Sequence, residues 1–369
     1  MGGTLDLNGT SLQTYGFFND STVPGNGSNI TSTNGTGHLM ITTDARNFSG
    51  TISGDVKFSK SGSGTFNFYS DLTYTGPTLI NGGLTVMYQD ARLSATSAID
   101  LNFGTLYPEN NNSWSDNVDR LNDAAPITMR GGYLELRGRA QNNSSERIGT
   151  TTLALGQSQF YVANGAGADA TTTLTIGNLV RNLGTAANFT SDLTNRVKIE
   201  NLNGVAFSTA NLTNGIIGGW AVMGAIGSGT HTFATYSPIY GVGALGTSGF
   251  LDYSNTTTNT TTLDTATATS NLNISSASAL TIPLTADKTI NSLRFDNVAS
   301  STLDISAGKT LTIGTGGVIS RCWVGGRAQG QAQQALINDT MLKATTTLSL
   351  SIESLSKAVK PRTRYGMCV

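Results

Sequence analysis

An all-β chain wound into a β-solenoid, or β-helix, is the fold the sequence predicts, and three observations carry it. The first is a recurring phrase, Gly-Gly followed by alternating apolar residues. It reads Gly2-Gly3-Thr4-Leu5-Asp6-Leu7, Gly82-Gly83-Leu84-Thr85-Val86, Gly131-Gly132-Tyr133-Leu134-Glu135-Leu136 and Gly316-Gly317-Val318-Ile319. Each copy is a turn that tolerates positive φ, feeding a strand whose side chains alternate between two faces. The second is strand length: a strand this short buries no apolar face alone, whereas stacked copies share one interior. The third is composition. Gly numbers 44 in 369 residues, well above the background of about 7%, and Thr, Ser and Asn supply much of the remainder.

That composition also excludes several classes. The hydrophobic fraction is 38% and the charged fraction 12%, low for a compact globule but rich in strand formers. The formal net charge is −1, from 22 Lys+Arg against 23 Asp+Glu. No basic stripe is present, so nucleic acid is not an expected partner. The most apolar stretch, Gly215 to Met223, is too short and too glycine-rich to span a bilayer. Met1-Gly2-Gly3 opens the chain without a basic segment or apolar run, so no signal peptide is read. The composition nevertheless looks extracellular, and a non-native N-terminus is expected. Cys322 and Cys368 both fall in the C-terminal tail. They read as incidental thiols, with a tail-closing disulfide as the alternative.

Taken in order, residues 1–106 read as short strands between Gly, Asn and Ser turns, including Phe48–Ile52, Val56–Phe58, Thr65–Tyr69 and Leu84–Val86. Self-similarity favours a solenoid over a sandwich. Residues 107–127, opening Tyr107-Pro108-Glu109-Asn110-Asn111-Asn112-Ser113-Trp114, break the rhythm. They are either an insertion looping outward or an irregular corner with a short helix. From 128 to 320 the solenoid resumes, through Thr152–Leu155, Gln159–Val162, Thr173–Ile176, Val197–Ile199, Leu272–Ile274 and Leu311–Ile313. The Thr-rich stretch 256–269 reads as a flexible or weakly paired connection. Residues 321–369 form an atypical basic tail, irregular and partly helical, with a helix-compatible pattern over Ala328–Ala344. It is either a cap over the open end of the stack or sequence foreign to the repeat, as a frame-shifted C-terminus would be.

The best-ordered motif lies at 47–86. Asn47-Phe48-Ser49-Gly50-Thr51-Ile52-Ser53-Gly54 is followed by Phe58-Ser59-Lys60-Ser61-Gly62-Ser63-Gly64-Thr65. Tyr74-Thr75-Gly76-Pro77-Thr78-Leu79-Ile80-Asn81-Gly82-Gly83-Leu84 completes it. In order and spacing this resembles the autotransporter-associated β-strand repeat, with Pro77 where the family has Gly and Gly82 where a small residue is common. Asn214 to Ala221, with Phe233-Ala234-Thr235-Tyr236, resembles a segment downstream of such repeats in very large bacterial surface proteins. The resemblance implies a right-handed parallel β-helix passenger, secreted or displayed at the outer membrane of a bacterium. It also implies a membrane barrel elsewhere in a full-length protein. The repeat itself covers roughly a tenth of the chain, and Tyr365-Gly366-Met367-Cys368-Val369 is no barrel end, so a fragment is expected.

Chemistry is sparse. Asp116, Asp119 and Asp123 with Arg120, beside Trp114 and Tyr107, are the candidate sugar-binding or catalytic group, since carboxylates and aromatic faces are what a sugar site needs. Against that stands a solvated loop with turn-forming Asp and Asn. His38 and His231 suggest no triad. Gly165-Ala166-Gly167-Ala168-Asp169 is a single imperfect copy of a calcium-binding nonapeptide, hence a turn, and neither cofactor nor metal is expected. The expected function is a structural passenger, stalk or adhesive surface, with a surface or matrix polysaccharide or protein as partner. The alternative is a carbohydrate-active β-helix enzyme of lyase or hydrolase type, and the third reading is a mis-framed chain with no function of its own.

Overall fold

The computed structural model describes residues 2–320, apart from 17–21, 43–44, 115, 166–169, 225–230, 255–262, 264, 277, 279, 297–300 and 315–316. Beyond 320 it describes Gln333–Ala335, Met341–Lys343 and Leu348–Ser349. The chain folds as a parallel β-solenoid of about 12 turns. It divides into two units, Met1–Ser208 with Ile239–Val242, and Thr209–Pro238 with Gly243–Val369.

The first unit carries three parallel sheets. The first holds Thr4–Asp6, Asn29–Thr31 and Thr51–Ile52. The second runs through Ser11–Thr14, Gly37–Thr42, Val56–Ser61, Thr78–Asn81, Ile99–Asn102, Ile127–Arg130, Ser144–Leu155 and Thr172–Arg181. The third runs through Ala45–Phe48, Thr65–Phe68, Leu84–Met87, Thr105–Pro108, Tyr133–Arg137, Gln157–Ala163 and Ala186–Thr190. Successive coils differ in length without losing step. Leu84 lies opposite both Thr65 and Thr105, and Tyr133 lies opposite Thr105 at the end of a longer coil.

Register aligns the inward side chains into continuous rows. One row is Leu39, Phe58, Thr78, Ile99 and Ile127, and another is Ile41, Lys60, Ile80, Leu101, Met129 and Leu153. All of these are buried, and each aliphatic member contributes about 1.5–3 kcal/mol by leaving water. Aromatic pairs add contact: Phe58 and Phe68 meet edge-on at 5.4 Å across the interior of one coil, and Phe160 and Phe189 stack at 5.3 Å between coils. The shared dry interior expected from strand shortness is therefore present.

The motif at 47–86 has a physical reading. Lys60 occupies an otherwise aliphatic row, and its ammonium donates to the carbonyls of Gly62 at 3.1 Å, Gly64 at 2.7 Å and Gly82 at 3.0 Å. Burial pulls its pKa down to about 8. Gly83, at φ +61°, must stay bare because a Cβ there would lie 2.2 Å from the Lys60 Nζ and 2.4 Å from the Gly64 carbonyl oxygen. Tyr74 is fully buried and its hydroxyl meets Thr78 Oγ1 at 2.5 Å, with Thr96 joining Thr78 at 2.9 Å. Lysine, glycines, tyrosine and threonine of the motif thus all serve the coil corners.

In the second unit, Asn271–Ile274, Ser292–Phe295 and Val318–Ser320 pair in parallel, as do Leu280–Leu284 with Ser301–Ile305 and Lys288–Ile290 with Thr310–Ile313. Leu272, Ile282, Ile290, Leu293, Leu303 and Leu311 lie in one buried cluster. Leu263, from the Thr-rich stretch read as flexible, is buried in the same cluster; residues 255–262 and 264 lie outside the described residues. An amide ladder also runs here, from buried to exposed, with Asn291 donating to Asn271 at 2.7 Å, both buried, and the exposed Asn214 donating to Asn291 at 3.0 Å. Ala221–Met223 and Thr232–Ser237 depart from the parallel rule, pairing antiparallel. Within the tail, Gln333–Ala335 and Met341–Lys343 are strands paired antiparallel to Val318–Ser320 and Thr310–Ile313. Those segments correct the helical pattern read over Ala328–Ala344: neighbouring unpaired strand edges offer the backbone partners that local helix propensity does not outweigh. Cys322 and Cys368 lie outside the described residues.

Candidate functional site

The irregular segment after Thr105–Pro108 turns inward instead of looping out, and no helix forms among its described residues. Arg120 is fully buried. Its Nε donates to Asn110 Oδ1 at 2.9 Å, Nη1 to the Ala91 carbonyl at 2.7 Å, and Nη2 to the Glu109 carbonyl at 3.0 Å. Burial lowers its pKa to about 10, which still leaves the guanidinium charged at neutral pH. Glu146, from the following coil and also buried, accepts the backbone N–H of Arg120 and of Leu121, each at 2.9 Å. Burial pushes its pKa up to about 8 against those two hydrogen bonds. Asn110 and Asn117 are tied together by Asn110 Nδ2 donating to the Asn117 carbonyl at 3.0 Å. This knot satisfies itself from backbone and side chain, as buried polar groups must.

The three candidate carboxylates leave the knot in separate directions. Asp116 Oδ1 accepts from Ser144 Oγ at 2.8 Å. Asp119 is exposed and stands 3.9 Å from Arg92. Asp123 pairs with Arg147 at 3.3 Å. Trp114 is exposed, with its backbone N–H on Gln89 Oε1 at 2.8 Å, while Tyr107 donates to Glu109 Oε2 at 2.5 Å. Each candidate therefore has its own partner, and Arg120 faces inward.

Asp123 opens onto a different feature, an open depression of about 530 Å³. Its floor is Gly149 and Gly177, which lie side by side because Ile148 pairs with Ile176 and Thr150 with Asn178. Gly149 allows the close passage of the neighbouring coil: a Cβ there would fall 2.2 Å from the Asp123 carbonyl oxygen. Arg147 crosses the depression, bonded to Asp123 and, at 2.8 Å, to Glu200. Glu200 first, then Asp123, hold the Arg147 pKa above its ordinary value. Arg147, Glu146, Glu200 and the glycine floor do not stand out in the sequence. Their signal is an isolated glycine after an isoleucine inside an alternating strand, Ile148-Gly149 and Ile176-Gly177, which marks close backbone approach.

A second surface feature lies on the third sheet, at outward positions on or just after its strands. Five of the 11 tyrosines are placed there, Tyr88, Tyr107, Tyr133 and Tyr161 half-buried and Tyr69 buried, a clustering that reflects register. Tyr69 and Tyr88 stack at 5.4 Å. Arg137 sits 5.7 Å from the ring centroids of both Tyr107 and Tyr161 and pairs with Glu135 at 2.8 Å. Burial, then Glu109, raises the Tyr107 pKa, and burial, then Glu135, raises that of Tyr133. Ring faces and charges here are spent on one another, which stiffens the sheet.

Of the histidines, His38 Nε2 lies 2.8 Å from Ser59 Oγ, a pairing that spacing along the sequence does not reveal. Burial and then Lys57 lower the His38 pKa. Ala166–Asp169 of the nonapeptide-like segment lies outside the described residues; among those that are described, no group of three His, Cys, Asp or Glu gathers. No described helix is long and apolar enough to cross a membrane, which does not bear on β-barrels. No family model, curated protein or solved structure matches the chain, so the resemblance of residues 47–86 stands on its motif residues alone.

Proposed function

We propose that the chain is a structural passenger: a solenoid segment of a secreted or surface-displayed bacterial protein, acting as a spacer or adhesive surface and not as an enzyme. The observation that carries this reading is the way the polar chemistry is consumed. Arg120, Glu146 and Lys60 are each buried on backbone partners, and Asp116, Asp119 and Asp123 are each engaged separately. Outward Thr, Ser and Asn leave a hydratable, weakly charged face, on which many weak contacts would sum along the stack to hold a surface or matrix polysaccharide or protein. The autotransporter-type repeat at 47–86 supports an exported context, with the membrane barrel supplied by other sequence.

One observation favours the enzymatic alternative. Asp123 lines an open depression, and Glu200 holds the other side of the Arg147 that crosses it; a pair of carboxylates is what glycoside cleavage uses. Incubating the purified chain with pectins, xylans and glucans, and following new reducing ends and unsaturated products, separates the readings. No turnover is expected. Turnover abolished by Asp123→Ala would replace the passenger reading with the enzymatic one. Surface labelling of bacteria carrying the gene in its native context tests display, and purely intracellular signal would sink it.

A further inference from the structure

We propose that the depression floored by Gly149 and Gly177 is a binding site for a neutral, linear oligosaccharide lying along the solenoid axis. The proposal deepens the adhesive reading above and rests on it. Three features of the depression point to this ligand. Its walls are hydroxyl-bonding groups: the Asp123 carboxylate, the Arg147 guanidinium, the Asn178 amide and the Thr150 hydroxyl, with the Glu200 carboxylate held beside them through Arg147. The side chains of Asp123, Arg147 and Glu200 are 47%, 48% and 45% exposed, so their unused lone pairs and N–H groups reach solvent. They are held in place by each other, which lowers the entropy lost on binding.

Charge selects against acidic sugars. Arg147, the cation of the depression, is already bracketed by two carboxylates that outnumber it, so a uronate would have to displace one of them. Shape selects for a linear chain. Asp123, Gly149, Gly177 and Glu200 fall on successive coils, since the Asp123 carbonyl abuts Gly149, Gly149 lies beside Gly177, and the Glu200 N–H donates to Ile176. At about 4.8 Å per coil the lining from Asp123 to Gly177 runs roughly 10 Å along the axis, with Glu200 one coil further on, the scale of about two sugar rings.

The test uses the full chain against an array of neutral glucans, mannans and xylans beside polygalacturonate, followed by calorimetric titration of the best binder. Gly177→Thr fills the floor. A Cβ at Gly177 would stand 3.0 Å from the movable Arg147 guanidinium and 3.2 Å from the Ile148 carbonyl oxygen, so the variant's melting temperature is read before its affinity. A Cβ at Gly149 would meet the Asp123 carbonyl oxygen at 2.2 Å, and that position is left alone. Gly177→Thr and Arg147→Gln, each checked by circular dichroism and thermal melting, are expected to weaken binding at least tenfold, while Leu183→Ser on a distant exposed turn leaves it unchanged. Failure of the wild-type chain to bind any neutral glycan, preference for polygalacturonate, or unaltered affinity in both site variants would each overturn the proposal. Binding that persists in both variants would remove this site yet leave the adhesive reading standing. Cleavage of the bound glycan would remove the passenger reading yet leave the site.

Discussion

Lys60 shows at the scale of one residue how a charge can belong in an aliphatic row. Its neighbours in the row are Ile41 and Ile80, and three carbonyl oxygens take the place of a counter-ion. Lys60→Met keeps the volume and strands those carbonyls, so it should destabilise by about 3 kcal/mol, read from the urea midpoint at constant m-value. Glu146 gives the second prediction at this scale. Its folded-state pKa of about 8 lies above the ordinary 4.5, so the folded chain keeps a proton that the unfolded chain releases. The stability this group contributes is full below pH 4.5 and is lost as pH rises through 8. Glu146→Gln should remove that slope, while costing about 1–3 kcal/mol because its amide turns an N–H toward a backbone N–H. Unfolding free energies of both proteins across the window decide it; an equal slope in each would refute the assignment.

At the scale of elements, strands and corners differ in how legible they are. Val56–Ser61, Leu84–Met87 and Thr172–Arg181 announce themselves by alternation, since inward residues must be apolar wherever coils share an interior. The corner after Pro108 does not, because what orders it comes from far along the chain. Arg120 reaches back to Ala91 on the preceding coil and meets Glu146 on the following one. Read locally, Asn110, Ser113, Asn117 and Arg120 look like a solvated loop, and only the stacking of coils turns them inward. The same limit applies to the candidate site. Asp123 is legible as a candidate, but Arg147 and Glu200 lie on later coils and join it only through register. Arg120→Met is expected to loosen the corner, costing about 3 kcal/mol through the orphaned Ala91 and Glu109 carbonyls, with faster proteolysis between Asn111 and Asp119 as the readout. An unchanged cleavage rate would mean the corner is ordered by something else.

For the whole molecule, a solenoid makes stability a sum over neighbouring coils. A lesion should therefore travel only a short way. Lys60→Met is expected to speed amide exchange in Val56–Ser61 and Thr78–Asn81 while leaving Thr172–Arg181 at its wild-type protection. Exchange that rises equally in all three strands would show a single cooperative block instead of a linear array. Edge strands should be the least protected. Ser11–Thr14, paired on one side only among the described residues, should exchange faster than Leu84–Met87.

Coil length carries a last consequence. Tyr133 stays in step with Thr105 although the path between them is longer than the one joining Thr65 to Leu84. Pitch is dictated by the ladder alone, and girth is free to vary at the bends. A lineage of such chains can therefore widen a bend into a new contact surface, or trim it away, while every rung above and below keeps its seat.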